Sequence, residues 1–187
     1  FGELIRPGAV RPVPATPELA AIAERILAAR RAGRPVICML GPRVITAGLG
    51  LLVGDLVRRG ALTHVAAGNA AAARDFEIAL RGATETADHG WVYEESARLL
   101  REAVCRGARD GLGWGEALGR FLAGDPRPTH PEAAVAHSAY THRCPLTVHA
   151  TIGSDASFLD PGCDYAALGW ASGQDLRILC ASARRLA

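Results

Sequence analysis

The sequence predicts an α/β fold, a three-layer parallel sheet with helices on both faces. Two observations carry that expectation. Three short apolar runs bounded by Gly or Pro alternate with longer stretches of helical periodicity. The length, 187 residues of which 49% are hydrophobic, suits one core and scarcely two.

Residues 1–16, with Pro7, Pro12 and Pro14, read as an extended lead-in, and 17–187 as a single α/β domain. Thr16 and Pro17 form a helix start, as N-cap and first helical residue. Leu19, Ile22, Ile26 and Leu27 recur at helical spacing, and Gly33 ends the helix. Residues 35–40 (PVICML) are wholly apolar and suit a strand covered on both faces. Residues 44–59 read as a helix stopped by Gly60, 62–67 as a second strand, and 70–80 as a second crossover helix. A polar stretch follows at 84–90. Helices are expected over 92–109, 111–122 and 132–140, then a third strand over 146–150 and a last helix over 172–186.

Charge and composition exclude several functions. With 21 basic and 19 acidic residues the net charge is only +2, no excess with which to follow a nucleic-acid backbone. No apolar run approaches the roughly 20 residues that span a bilayer. Every basic residue is arginine, so lysine imine chemistry is closed to this chain. The five cysteines are unpaired in spacing and read as free thiols of a reducing, cytoplasmic compartment.

Ligands of open parallel sheets bind beyond the carboxyl ends of the strands. Three loops are expected there: 41–48, 68–75 and 151–160. The first joins a strand to a helix and offers backbone amides to an anion. It is neither a G-x-G-x-x-G fingerprint nor a P-loop. In the second, Asp75 suits a helix N-terminus, and Arg74 suits either Asp75 or a phosphate. In the third, His149 closes a strand before Gly153, Ser154 and Asp155, a turn able to place a hydroxyl and a carboxylate around a ligand. His142, Cys144 and His149 lack metal-ligand spacing, so no metal is expected. A hydrolytic use of His149 and Asp155 is the weakest reading, since Ser154 lacks a G-x-S-x-G elbow.

Taken together, residues 41–60, 62–84 and 145–178 resemble segments of the deoxyhypusine synthase family, bacterial members especially. The segments are GPRVITAGL, DFEIALRGAT and PLTVHATIGSD. The resemblance implies a Rossmann-like NAD-binding fold in a homotetramer and an aminobutyl transfer from polyamines, with this chain as the N-terminal part of a longer family domain. It also implies that Arg43, Thr46, Gly48, Gly68, Asn69, Arg74, Asp75, Gly153 and Ser154 face NAD. Departures accompany it: Arg43 and Thr46 replace a His and a Lys, Ala70 and Ala71 replace glycines, and Arg74 replaces a His. Methyls at Ala70 and Ala71 are expected to crowd a pyrophosphate and weaken NAD binding. The alternative is a catalytically inactive module of the same fold that binds or oligomerises.

Overall fold

The computed structural model describes residues 16–82, 94–155, 158, 160 and 162–186. The expected lead-in up to residue 15 and the polar stretch at 84–90 lie outside them. Helix α1, Pro17–Arg31, starts as its sequence dictates: the Thr16 hydroxyl accepts from the Leu19 amide at 3.4 Å. Gly33 then turns the chain at φ +67°. Yet α1 buries no residue, and Leu19, Ile22 and Leu27 stay exposed.

Strands β1 (Ile37–Leu40), β2 (His64–Gly68) and β3 (Leu146–His149) pair in parallel in the order β1-β2-β3. Between β1 and β2 the expected single helix is two, α2 (Pro42–Thr46) and α3 (Gly50–Arg58). Gly48 breaks it at φ +78°, a left-handed conformation that a continuing helix cannot contain. Helix α4, Asn69–Arg81, follows β2 directly and buries every residue from Ala71 to Leu80. Helices α5 (Glu94–Arg109), α6 (Trp114–Gly124) and α7 (Val135–Thr141) complete the long connection to β3.

Helix α6 sits unusually close to its neighbours because of its glycines. A Cβ at Gly115 would lie 1.9 Å from the Leu146 carbonyl oxygen, and one at Gly119 2.7 Å from that of Ala136. The last helix, α8, runs Tyr165–Ala183 and so begins seven residues earlier than the apolar spacing predicts. The Asp164 carboxylate caps it, accepting from the Ala167 amide at 3.0 Å.

Strand alternation sorts the sheet into two faces. Leu40, Val65, Ala67, Leu146 and Val148 share one face and belong to the main core, which α4 and α6 complete. Met39, His64, Ala66 and Thr147 share the other, where α8 packs on β3 and reaches His64 through Ser182. That cover stops short of β1, whose Met39 is 79% exposed. The fold is therefore mixed α/β with a small parallel sheet, with α4 and α6 on one face and α8 on part of the other. An all-apolar strand at a sheet edge keeps one face uncovered here. All five cysteines are free, and no helix among the described residues is long and apolar enough to cross a membrane.

Candidate functional site

The carboxyl ends of the three strands open on a depression of about 320 Å³, lined by Met39, Leu40, Gly41, Ala66, Ala67, Gly68 and His149. Parallel pairing creates it: the register aligns Leu40 with Ala67 and Gly68 with His149, so all three chains leave the sheet along one rim. Gly41 and Gly68 each face open space, with nothing within 4 Å of a Cβ placed there. Gly68 is also the N-cap of α4 and has no side chain to cap it.

The polar group of this rim is His149. Its Nε2 lies 3.0 Å from Thr147 Oγ1, which lies 2.9 Å from Nε2 of the buried His64. Nδ1 of His64 in turn meets Ser182 Oγ on α8 at 2.8 Å. Burial holds both imidazoles below their ordinary pKa, with His149 adding to the effect on His64, so both rings favour the neutral form.

Of the residues expected at the site, Gly68 and His149 meet in the depression. Arg43 and Thr46 lie exposed on α2, where the Thr46 hydroxyl donates to the Arg43 carbonyl at 3.3 Å. Gly48 is the buried break between α2 and α3, and Asn69 is buried in the first turn of α4. Arg74 turns inward and pairs with Glu77 at 2.9 Å, both side chains almost wholly buried. Asp75 is buried as well. Its two oxygens accept from the Val135 and Ala136 amides, each at 2.8 Å, capping α7 from across the fold. Desolvation outweighs those bonds and raises its pKa to about 6.

Gly153, Ser154 and Asp155 close a turn of their own. The Thr151 amide donates to Asp155 at 2.8 Å, the Ser154 hydroxyl donates to the Thr151 carbonyl at 3.4 Å, and Gly153 takes φ +95°. Among the described residues the His149 ring bonds Thr147 and makes no hydrogen bond with Ser154 or Asp155, so the hydrolytic reading gains no support from the geometry.

Reasoning from the sequence passes over three buried polar residues. His64 and Thr147 occupy the same sheet face as His149, a signal present in their alternation. Asp175 on α8 is fully buried, and its Oδ2 accepts from the Val148 amide at 2.6 Å and the Gly115 amide at 3.0 Å. Desolvation, reinforced by Glu116, pushes it up to about 7 against those hydrogen bonds.

No known family profile matches the chain, and no curated protein does. Solved structures do share its fold. ArgZ, an arginine dihydrolase from the ornithine–ammonia cycle in cyanobacteria, is 24% identical over 72% of this chain, with a TM-score of 0.51. AgrE in its ternary complex with ornithine and NAD+ is 20% identical over 72% of this chain, with a TM-score of 0.53. A conserved putative LOR/SDH protein from Methanococcus maripaludis S2 is 17% identical over 83% of this chain, with a TM-score of 0.50. The chain spans 18% of ArgZ, 19% of this AgrE structure and 45% of the LOR/SDH protein. At these identities the likeness establishes the fold alone. The neighbours correct the expectation of a deoxyhypusine synthase relative transferring an aminobutyl group from polyamines. Strand–Gly–helix segments recur wherever a parallel sheet feeds a helix, so the matched motifs reported the architecture rather than that chemistry.

Proposed function

We propose that the depression at the carboxyl ends of β1, β2 and β3 binds a nicotinamide dinucleotide, and that this chain is the cofactor-binding part of a longer protein. The observation that carries the reading is the open approach at Gly41 and Gly68 beside the uncapped start of α4. Close backbone access at a helix N-terminus, whose dipole points toward the ligand, is the setting in which a phosphate binds. The volume of about 320 Å³ falls at the small end of ligand pockets, roughly 300–1,000 Å³. It suits one half of a dinucleotide, with the remainder lying across the open mouth.

The residues present fit such a group. Gly41 and Gly68 would admit the backbone-hugging portion, Met39 and Ala66 would cover an apolar ring face, and His149 would meet a polar edge. Ala71 does not oppose this: its methyl is buried in the core, and only Ala70 is exposed. When bound, NAD+ accepts hydride from a substrate. This chain's part is to bind and orient it, with His149 as the neutral hydrogen-bonding group at the rim. The fold neighbour that holds NAD+ holds ornithine too, which makes ornithine the amino acid to test beside it.

Thermal unfolding with and without NAD+ tests the reading. At 100 times Kd the cofactor stabilises the native state by about 2.7 kcal/mol. Gly68→Leu is the decisive variant. Its side chain enters open space at an ordinary φ of −77°, so the fold loses no more than about 1 kcal/mol, through a poorer N-cap. NAD+ stabilisation of the wild type that Gly68→Leu abolishes is the expected result. No stabilisation at millimolar NAD+, or an equal effect on both proteins, overturns the proposal.

A further inference from the structure

The four groups Ser182, His64, Thr147 and His149 form an unbroken hydrogen-bonded chain, at 2.8, 2.9 and 3.0 Å, from α8 to the rim of the depression. Its geometry imposes a rule. The Thr147 hydroxyl is fully buried and meets two imidazole Nε2 atoms and no other partner among the described residues, so its one proton is satisfied only by donating to one ring while it accepts from the other. The two neutral histidines therefore hold opposite tautomers. If the Ser182 hydroxyl donates to His64 Nδ1, then His64 Nε2–H donates to Thr147, Thr147 donates to His149 Nε2, and His149 keeps its proton on Nδ1. Reversing every bond leaves His149 Nδ1 bare, as an acceptor.

We propose that Ser182, His64, Thr147 and His149 are a proton relay. It fixes which hydrogen-bonding character His149 presents to a ligand, and it carries one proton between solvent at α8 and the depression. In the outward direction His149 Nδ1 gives its proton to the ligand, and Thr147 passes one to His149 Nε2. His64 passes its Nε2 proton to Thr147 and receives one on Nδ1 from Ser182, which regains a proton from water. Each group ends neutral, and one proton has entered at Ser182 and left at His149. The buried His64 never holds a lasting charge, which its site disfavours. Ser182 is half-buried and so within reach of water, whereas His64 and Thr147 are fully buried. The relay makes His64 and Thr147 positioning residues, which explains why two polar groups occupy the dry face of a small sheet. Use of that proton rests on the depression taking a ligand; the tautomer rule does not.

Imidazole ¹⁵N shifts of His64 and His149 in the ligand-free protein at pH 8 test it. The expected result is opposite Nε2 protonation in the two rings. Thr147→Val uncouples them and Thr147→Ser restores the coupling. Ser182→Ala, an exchange at the far end on a half-buried helix face, moves the His149 tautomer ratio about fivefold, the factor set by one hydrogen bond of about 1 kcal/mol. The same Nε2 state in both rings, or a His149 ratio indifferent to Ser182→Ala and Thr147→Val, overturns the relay. If Thr147→Val does not fold, Ser182→Ala and Thr147→Ser alone decide it. Absence of NAD+ binding would end the cofactor reading without touching these shifts.

Discussion

Replacing Asp175 by Asn should flatten part of the protein's pH dependence, by an amount its surroundings set. The carboxyl is fully buried in α8, and its Oδ2 takes two main-chain amides, from Val148 in β3 and Gly115 in α6. Oδ1 finds no partner among the described residues. The pKa stands at about 7 against an ordinary 3.8, so between those values the native state holds a proton that the unfolded chain has lost. Stability from this group is complete below pH 3.8 and is lost as pH rises through about 7. From pH 5 to pH 8.5 the loss amounts to roughly 2–3 kcal/mol, at about 1.4 kcal/mol per pH unit over which only the native state binds the proton. Asparagine keeps an acceptor for both amides and cannot ionise.

Other groups titrate in the same range. Asp75, raised to about 6, adds a loss in the same direction. His64 and His149, with lowered values, act oppositely: their contribution is complete above 6.5 and fades as pH falls. The difference between wild type and Asp175→Asn at matched pH therefore isolates Asp175. Urea unfolding followed by circular dichroism at pH 5, 7 and 8.5 measures it. The variant should be weaker at pH 5 and gain roughly 2–3 kcal/mol on the wild type by pH 8.5. A difference that stays constant across that range refutes the reasoning.

Four further outcomes are expected. Gly115→Ala brings a methyl to 1.9 Å from the Leu146 carbonyl oxygen and should destabilise by about 3 kcal/mol or more in chemical denaturation. Gly173→Ala on α8, where a Cβ meets nothing within 4 Å, should instead be neutral or stabilise by up to about 1 kcal/mol. Arg74→Ala removes the 2.9 Å ion pair to the buried Glu77 and should cost roughly 1.5–3 kcal/mol, while Arg81→Ala on the exposed turn of the same helix should cost about 1 kcal/mol or less. Light scattering should find self-association, weakened by Met39→Glu, because β1 leaves Met39 79% exposed on its open face.

Much of the architecture was legible because punctuation in this sequence coincides with structure. Thr16 with Pro17 starts α1, and Gly33 and Gly60 turn the chain at positive φ. The misses have particular causes. Helical spacing of apolar residues continues across Gly48, so a break that depends on its φ is invisible in the pattern. In α8, Gly169 and Gly173 mute the helical signal, and the start of the helix is marked instead by its cap, Asp164. At the site, His149 and Gly68 were readable as strand-end residues. Arg74 and Asp75 were not, because a helix buried on every side places its charges by what packs around it.

The sequence by itself determined an alternation of parallel strands and helices, the glycines where strands end, and a histidine at the rim. These are local, since period, capping and turn chemistry act over a few residues. Tertiary structure alone decided that Asp75 caps α7, that Asp175 ties α8 to β3 and α6, and that His64, Thr147 and His149 share one chain. Such bonds join residues about 60 or more apart in the cases of Asp75 and His64. They exist because a buried polar group must find a partner wherever the packed core offers one.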